Sequence, residues 1–440
     1  MTTALSNLPT IEVPESYPME MPQFLARMAE QHGPIFKREW GPGESVVYMV
    51  GPQANEFILR THREHFSHDR GWTPFIGEVF GKGLLNMDDP EHARDRKLMN
   101  PGFATAYMER YLPIMRRVIA ERVADWAARE VVDVYQEARK ITFDVAAEAL
   151  AGLRTGAEVD RLRELFYRIL GAQFTAGIQS EEEWMAYITP IRAELDALLL
   201  RMIAERRNAP EGEHPNDVLA LLVHARDGEG RGLSDEQLLG HLNILLVAGH
   251  ETSTTLSAWL FYELAAHPDV LARVHTELDA ALPDPDVPAS IETLRGLRVL
   301  GNAMAETGRL HPPAGNIPRG VVKPFEFAGY TIPAGTFMFC SIAAGHRLPS
   351  VFRDPDRFDP DRFAPPREED KATPYSLITF GGGPRVCIGM NFAQTEIKAL
   401  AAHVLRTHTV ETLPGREPAA VYYSPVAFIP TGVELRVSPR

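Results

Sequence analysis

The spacing of apolar residues along the chain predicts a protein built mainly of helices. Between residues 113 and 207 apolar positions recur with helical periodicity, and residues 141–147 are the most apolar run of that segment. Strand-like patterns are short and lie at residues 34–40, 45–50, 330–339 and 422–437, and residues 314–321 lead from a helix toward a further strand. The first two are separated by Gly41-Pro42-Gly43, which predicts a turn between two strands. The pattern favours a mostly α fold with small β-sheets.

The longest predicted helix lies in the middle of the chain. It begins at a capping box, in which Ser234 is the N-cap and Gln237 the third helical residue, and its pattern continues to His267. A helix of about 30 residues is roughly 45 Å long, which is unusual in a globular domain. One face carries apolar and small residues, Leu245, Ala248, Gly249 and Thr252. Small side chains on this face leave room for another group to approach the helix backbone.

Residues 69–88 predict a loop with an unusual number of large apolar side chains, including Phe75. Such a loop either lines an apolar pocket or packs against the core. Asp89-Pro90 then predicts the start of a helix, with Asp89 as its N-cap and Pro90 at the first helical position. His92 and Arg96 are four residues apart, so they share one face of that helix.

Composition narrows the possible functions. The 440 residues include 45 basic and 59 acidic ones, and the formal net charge of −14 argues against non-specific binding to nucleic acid. The two cysteines, Cys340 and Cys387, are too few for a disulfide framework. So few cysteines in a long chain are typical of a protein in a reducing compartment. The first residues lack both a signal sequence and an apolar span that could cross a bilayer. We therefore expect a cytoplasmic protein without a membrane anchor.

The strongest chemical signal is the loop of residues 380–389, Phe-Gly-Gly-Gly-Pro-Arg-Val-Cys-Ile-Gly. Cys387 follows a cation, Arg385, and precedes a run of helix-forming residues, and both positive charge and a helix N-terminus lower the pKa of a thiol. Glycines allow backbone N–H groups to approach the sulfur. A thiolate is the axial ligand that favours O–O cleavage at heme iron. On these residues alone, Cys387 is either the thiolate ligand of a metal such as heme iron or a buried structural cysteine in a glycine-rich turn, and the full pattern of the loop favours the heme ligand.

This loop resembles the heme-binding loop of the cytochrome P-450 superfamily. All fixed positions of that loop are filled, by Phe380, Gly383, Arg385, Cys387 and Gly389. The resemblance is to the soluble bacterial type, and it implies the cytochrome P-450 fold with heme b (iron protoporphyrin IX) as cofactor. It implies one heme domain over residues 1–440 without a fused reductase. Phe380 is expected to exclude water, and Arg385 to hold an anionic group beside the metal.

The middle of the long helix resembles the oxygen-activating segment of the same superfamily. There Glu251 precedes Thr252 within the sequence Ala-Gly-His-Glu-Thr-Ser. Activation of O₂ at a heme consumes two protons, and a hydroxyl backed by a carboxylate can relay them from solvent. Glu251 and Thr252 are therefore the predicted proton-delivery pair. A zinc-protease motif is excluded, because Thr254 occupies the position of the second histidine.

The resemblance implies roles for further residues. His92, Arg96 and Arg319 are expected to bind the heme propionates. Three residues are expected to form a structural ion cluster and no part of the catalytic machinery: Glu306, Arg309 and Arg362. The expected substrate pocket comprises Phe75, Leu245, Ala248, Ile317 and Phe428. The last of these lies in residues 426–430, which are expected to form a hairpin tip that enters the pocket.

These motifs together predict a heme-thiolate monooxygenase that inserts one atom of O₂ into a lipophilic organic substrate by hydroxylation or epoxidation. By analogy alone, the expected substrates are terpenoids, fatty acids, retinoids or steroid-like compounds. Electrons would come from a separate ferredoxin or flavodoxin with its reductase. Four basic residues, Arg94, Lys97, Arg116 and Arg117, are candidates for docking that partner. We expect a monomer.

Two alternatives stay open from the sequence. A peroxide-driven oxidase or a dehydratase has the same fold, but such enzymes dispense with the acid and alcohol pair, so Glu251 and Thr252 argue against them. The second alternative is a non-catalytic heme protein, either an electron carrier or a gas sensor. An electron carrier has no use for an apolar pocket or a proton relay, and a sensor usually carries an output domain.

Overall fold

The computed structural model describes residues 5–13, 17–41, 44–175, 178, 180–209, 217–284, 287–419, 429 and 431–440, and it gives the backbone alone at 17–20 and 172–175. Within these ranges the helices are α1 (Tyr17–His32), α2 (Pro52–Glu56), α3 (Asp69–Phe80), α4 (Glu91–Met99), α5 (Thr105–Val123), α6 (Trp126–Arg129), α7 (Val134–Ala151), α8 (Ala157–Thr175), α9 (Glu181–Asn208), α10 (Val218–His224), α11 (Asp235–Ala266), α12 (Pro268–Ala281), α13 (Ile291–Gly296), α14 (Arg298–Leu310), α15 (Ile342–Gly345), α16 (Glu369–Ala372) and α17 (Met390–Thr407). The strands are β1 (Ile35–Gly41), β2 (Glu44–Val50), β3 (Phe66–Ser67), β4 (Val131–Asp133), β5 (Asn316–Val321), β6 (Phe325–Phe327), β7 (Tyr330–Ile332), β8 (Phe337–Ser341), β9 (His408–Thr412) and β10 (Glu434–Pro439). The predicted mostly α fold with small sheets is confirmed.

The 32-residue helix α11 is the element around which the other helices pack. Its predicted capping box is present: Ser234 Oγ accepts from the N–H of Gln237 (3.2 Å), and Gln237 Oε1 accepts from the N–H of Ser234 (3.0 Å). Helix α7 packs along α11, where Thr142 and Thr254 share a hydrogen bond of 2.7 Å, and α17 packs along it as well. Most side chains of α11 are buried, as expected of a helix enclosed by others. Among the described helices, none is long and apolar enough to cross a bilayer.

The main sheet has five strands in the order β1-β2-β8-β5-β3. Strands β1 and β2 are antiparallel, as predicted, and β2 and β8 are parallel; residues 42–43 of the expected turn lie outside the described residues. Cys340 of β8 is buried, and burial raises the pKa of its thiol to about 12, so this thiol is unreactive. Strands β4, β10 and β9 form a second sheet, and β6 and β7 form a hairpin. The expected tip at residues 426–430 is described only at Ile429.

The prediction of a loop over residues 69–88 is wrong, because its first part is helix α3. Trp72, Ile76 and Val79 recur at helical spacing and are buried, so the apolar residues form one face of a helix. A Cβ on Gly71 would lie 2.6 Å from the carbonyl oxygen of Pro318. Helix α3 therefore meets strand β5 backbone to backbone.

The predicted start of the next helix is also wrong by one residue. Helix α4 begins at Glu91, and Pro90 is its N-cap, with no capping side chain. The carboxylate of Asp89 instead lies 3.3 Å from Nδ1 of His92, 3.4 Å from Arg63 and 3.7 Å from Arg385. Attraction to these basic groups turns the carboxylate away from the helix N–H groups.

The expected ion cluster is formed and fully buried. Arg309 donates from Nε to Glu306 Oε2 (2.7 Å) and from Nη2 to Oε1 (2.9 Å), and Arg362 Nε donates to Oε1 (2.9 Å). Backbone carbonyls accept further N–H bonds of both guanidinium groups, among them those of His346 and Arg353. Hydrogen-bond saturation of this kind offsets the cost of burying charge. The cluster joins α14 to the segment that holds Arg362.

Gly308, one residue before Arg309 in α14, has a clear packing role. A Cβ at this position would lie 2.8 Å from Cγ2 of Thr379. The hydroxyl of Thr379 donates to the carbonyl of Gly308 (3.1 Å). The missing side chain lets the segment before the cysteine loop touch α14 directly.

Candidate active site

Cys387 lies in a turn that ends where α17 begins. Its N–H donates to the carbonyl of Phe380 (2.8 Å), which closes the loop, and α17 starts three residues later at Met390. The side chain of Cys387 is exposed. Its surroundings of low polarity raise the pKa of the thiol, whereas the N–H of Gly389 and the charge of Arg96 favour the thiolate. Phe380 is partly buried against the main core.

Five basic side chains lie close enough to one another near this loop to shift one another's pKa values: His68, His92, Arg96, Arg319 and Arg385. Burial and the charge of Arg385 lower the pKa of His92 to about 4, so its ring is neutral at neutral pH. Burial lowers the pKa of Arg385 to about 10. His92 and Arg96 share one face of α4, as the spacing predicted.

Two of these cations have no carboxylate at ion-pair distance within the described part of the chain. The guanidinium of Arg319 is buried and donates to the carbonyl of its neighbour Pro318 (2.7 Å). Nε of Arg96 donates to Asn100 Oδ1 (3.3 Å). Burial and Arg385 lower the pKa of Arg319 to about 10, which shows how unfavourable the charge is there. A cluster of this kind fits an anionic group, such as the two propionates of a heme.

His68 also belongs to this cluster, although no pattern in the sequence predicted its position. Strand β3 pairs with β5, with Ser67 opposite Gly320, so His68 follows at the level of Arg319. Burial and the charge of Arg319 hold the pKa of His68 well below its usual range. A two-residue strand has no periodic pattern, so only the pairing itself could have revealed this histidine.

The exposed face of α11 is the one that the spacing predicted. Ala248 is exposed and Gly249 and Thr252 are partly exposed, in a helix that is otherwise mostly buried, and Leu245 lies buried one turn earlier. The hydroxyl of Thr252 donates to the carbonyl of Ala248 (2.6 Å), one turn back along the helix. The hydroxyl of Thr252 is therefore the polar group on a helix face that otherwise carries small apolar residues.

Glu251 does not face Thr252. Its Oε1 accepts from Nε (3.0 Å) and Nη2 (2.5 Å) of Arg139 on α7, and Nε2 of His250 lies 3.1 Å away. Burial raises the pKa of Glu251, but Arg139 and His250 outweigh burial and hold it at about 2. Nδ1 of His250 lies 2.6 Å from the carbonyl of Leu246, so both ring nitrogens face acceptors. The carboxylate is thus an ionised member of a buried ion cluster.

The other residues of the predicted substrate pocket lie on helix α3 and strand β5. Phe75 of α3 packs against Phe337 and Phe339 of β8, with ring centroids 5.9 and 6.4 Å apart. Ile317 of β5 is partly buried against two apolar clusters, next to the place where α3 and β5 touch. Phe428 lies outside the described residues.

Comparison with known proteins agrees with this geometry. The sequence profile of the family described as Cytochrome P450 matches residues 5–437. The chain belongs to the cytochrome P450 family. It is 32% identical over 398 residues to cytochrome P450 136 of Mycobacterium tuberculosis, which covers 89% of this chain and 79% of that protein. It is 30% identical over 382 residues to the sterol 14alpha-demethylase of Mycolicibacterium vanbaalenii, which covers 84% of this chain and 82% of that one.

Solved P450 structures are similar over nearly the whole chain. The retinoic acid bound cyanobacterial CYP120A1 has a TM-score of 0.85 and 27% identity, over 98% of this chain and 99% of that chain. The heme domain of cytochrome P450DA has a TM-score of 0.86 and 25% identity, over 98% of each chain. Members of the family are heme-thiolate monooxygenases, so this protein is a P450 monooxygenase that binds heme b and works with a substrate, O₂ and a redox partner.

Proposed function

We propose that this P450 inserts one oxygen atom from O₂ into a lipophilic organic substrate by hydroxylation or epoxidation. The observation that carries the proposal is the makeup of the expected pocket, whose described members are all apolar: Phe75, Leu245, Ala248 and Ile317. An apolar pocket with few polar groups selects apolar ligands. One relative is a sterol 14alpha-demethylase and another is described with retinoic acid bound. Terpenoid, fatty-acid, retinoid or steroid-like substrates are therefore the classes to test first.

In this proposal Cys387 supplies the thiolate ligand of the heme iron, and the heme, when bound, supplies the oxygen-activating chemistry. The N–H of Gly389 stabilises the negative charge on the sulfur. Phe380, packed against the core beside the turn, would help to shield the sulfur from water once it binds the heme iron.

The basic cluster binds the heme propionates in this proposal. Arg96, Arg319 and Arg385 would hold the propionate carboxylates by charge-assisted hydrogen bonds, and neutral His92 would donate an N–H. A buried, uncompensated cation such as Arg319 gains most from this contact, since it has no carboxylate partner among the described residues.

Thr252 is the proposed proton-handling residue. Its hydroxyl lies on the exposed face of α11, where it can accept a proton from water and pass one on. Glu251, the neighbouring residue, is ionised at neutral pH, because its pKa is about 2. Its hydrogen bonds with Arg139 hold this part of α11 against α7.

Electrons are proposed to come from a separate ferredoxin or flavodoxin, with one heme domain over residues 1–440. Three of the four expected docking residues are engaged elsewhere: Arg94 with Asp227, Arg117 with Glu148, and Arg116 with the carbonyl of Ala289. Lys97 is exposed.

A basic cleft of about 410 Å³ is a second candidate for docking an acidic partner. It is lined by four cations, Arg273, Arg295, Arg298 and Lys398, and by one carboxylate, Asp361, which pairs with Arg273. On a chain of net charge −14, such a surface is complementary to an acidic protein. Arg298→Glu should slow reduction by an acidic ferredoxin at low ionic strength. Arg353→Glu, at an exposed position, is the matched control, and equal slowing by both would contradict the assignment.

Spectral titration of the ferric protein tests the substrate class. Addition of fatty acids, terpenoids, retinoids and steroids should produce a low- to high-spin shift with one class, and product analysis should then show one added oxygen atom. If no class shifts the spectrum of a protein with an intact thiolate signature, the lipophilic assignment is wrong.

Two variants test the assigned residues. Thr252→Ala should consume electrons without a matching yield of product, while Thr276→Ala should not, although Thr276 makes the same bond to a carbonyl one turn back (3.0 Å). Cys387→Ser should abolish the thiolate-type spectrum of the carbon monoxide complex.

Turnover with peroxide alone should be much slower than with a reductase system, and equal rates would favour the peroxygenase alternative. The monomeric state and cytoplasmic location stay predictions, for chromatography and cell fractionation to test.

A further inference from the structure

The cysteine loop rests on a helical element from the first part of the chain. Helix α2 continues into a π-helical turn, Phe57–Thr61, in which the N–H of His62 donates to the carbonyl of Phe57 (3.0 Å), five residues earlier. Turns of this kind are rare and are found mostly at functional sites. A Cβ on Gly383 would clash with the carbonyl oxygen of Leu59. The π-helical turn therefore meets the cysteine loop backbone to backbone.

Tyr375 makes a second contact with this loop. Its ring packs on Gly382, where an added Cβ would lie 3.1 Å from Cε1 of the ring. The backbone of Tyr375 is left-handed, with a φ of 61°. This conformation is unfavourable for a residue with a side chain, and it persists only where the surroundings impose it. Residues in such conformations cluster at functional sites, so the conformation of Tyr375 needs an explanation.

Asn55 of α2 holds Tyr375 in this conformation. The side chain of Asn55 is fully buried, and its Nδ2 donates to the carbonyl of Tyr375 (2.9 Å). Its Oδ1 accepts from Sγ of Cys340 (3.2 Å), which belongs to β8, the central strand of the main sheet. One amide therefore connects the main sheet to the segment before the cysteine loop. None of the functions proposed above uses Asn55 or Tyr375.

We propose that Asn55 is a positioning residue for the heme ligand and acts through Tyr375. The amide keeps Tyr375 left-handed, and the ring of Tyr375 then holds the glycines of the cysteine loop from one side while Leu59 holds them from the other. Groups outside the first shell orient the ligands of a metal and tune its properties. The proposal rests on the proposed role of Cys387 as the thiolate ligand. Loss of the amide should weaken the iron–sulfur bond while heme stays bound.

Resonance Raman spectroscopy of the heme-loaded ferric protein measures the iron–sulfur stretch without any turnover. Asn55→Leu keeps the volume of the side chain and removes its hydrogen bonds, so the band should move to lower frequency. The carbon monoxide complex of this variant should lose its thiolate-type spectrum about tenfold faster than that of the wild-type protein. Asn243→Leu is the matched control, because Asn243 of α11 is also fully buried and donates to Asp196 (3.4 Å). An unchanged band in Asn55→Leu, or an equal shift in the control, would overturn the proposal.

Substitutions at Tyr375 test whether Asn55 acts through its ring. Tyr375→Phe keeps the ring and should leave the iron–sulfur band unchanged. Tyr375→Gly removes the ring but adopts a positive φ without cost, and it should shift the band as Asn55→Leu does. Ala328→Gly is the control for glycine at a left-handed position (φ 50°), in the turn between β6 and β7, and it should have no effect on the band. A wild-type band in Tyr375→Gly would contradict the proposal.

The double variant Asn55→Leu/Tyr375→Gly tests the order of the two residues. Because both changes interrupt one connection, the double variant should shift the band no further than Tyr375→Gly alone. Effects that add would show that Asn55 does not act through Tyr375.

Hydrogen exchange of the heme-free protein gives a measurement that depends neither on heme nor on activity. The N–H of Cys387 is protected by its hydrogen bond to the carbonyl of Phe380 (2.8 Å). This N–H should exchange about tenfold faster in Asn55→Leu and in Tyr375→Gly, because the loop then opens more often. Exchange at the wild-type rate in both variants would overturn the proposal. If Asn55→Leu does not fold, Tyr375→Gly still decides the question.

Failure of the proposal can be told apart from failure of the proposed ligand. If Cys387→Ser keeps the thiolate-type spectrum, Cys387 is not the ligand and the proposal fails with that assignment. If Cys387→Ser loses the spectrum while Asn55→Leu keeps the wild-type iron–sulfur band, the ligand assignment stands and the role of Asn55 alone is refuted.

Discussion

Arg139 of α7 and Glu251 of α11 are joined by two hydrogen bonds to one carboxylate oxygen, from Nε at 3.0 Å and from Nη2 at 2.5 Å. The guanidinium also lies over the ring of Tyr167, with its carbon 3.9 Å from the ring centroid. The oxygen-activating segment is therefore attached to α7 and α8 by a buried charge.

Arg139→Met should destabilise the protein by about 3–5 kcal/mol, because it leaves the carboxylate of Glu251 buried with less compensation. Urea unfolding measures the change. The double variant Arg139→Met/Glu251→Leu should recover part of the loss, since no charge is then left unpaired. A double variant less stable than the sum of both single changes would contradict this account.

Glu251 should make stability depend on pH on the acid side. Its folded-state pKa of about 2 lies below the ordinary value of 4.5, so its stabilising effect is complete above about pH 4.5 and is lost as the pH falls toward 2. Glu251→Gln should be less stable at neutral pH and should lose less stability over that interval. Glu182→Gln, an exposed change at the start of α9, should leave the acid profile unchanged.

Arg319→Met should have opposite effects on the heme-free and heme-loaded protein. Without heme, removal of a buried cation that lacks a carboxylate partner among the described residues should stabilise the fold. With heme, loss of a charge-assisted hydrogen bond worth about 1.5–3 kcal/mol should speed heme release by roughly ten- to a hundredfold. Transfer of heme to an acceptor globin measures the rate. Unchanged release would remove Arg319 from the propionate site.

Gly308→Ala should destabilise the protein by about 1–3 kcal/mol although alanine is the better helix former, because its Cβ would meet Thr379 at 2.8 Å. Thermal unfolding measures the change, and Thr379→Ser, which removes the methyl group, should restore part of the loss. Gly171→Ala in α8 is the control. A Cβ there meets no atom within 4 Å, so the change should stabilise by up to about 1 kcal/mol.

Local signals predicted much of the fold and of the site. The capping box at Ser234 fixed the start of α11, and the spacing of Glu306 and Arg309 placed both on one side of α14. The cysteine loop carries its own pattern within ten residues. In each case neighbouring residues determine the structure, so the sequence shows it directly.

Partners that are distant in sequence were not predictable. Arg139 and Glu251 are 112 residues apart, and nothing near Glu251 indicates that its carboxylate turns toward α7. The error over residues 69–88 had a different cause, since Trp72, Ile76 and Val79 do recur with helical spacing, and that signal was missed in a segment interpreted by composition alone.

The backbone contact between α3 and β5 has a consequence for laboratory evolution of this enzyme. A side chain at Gly71 of α3 would clash with strand β5, and a side chain at Gly320 of β5 would clash with α3. These two positions should therefore be left unchanged in a mutant library. Phe75 and Ile317 lie on the same two elements, with their backbones held by that contact. Because both residues belong to the predicted substrate pocket, we expect substitutions at these two positions to change which substrates are accepted while the contact between α3 and β5 is kept.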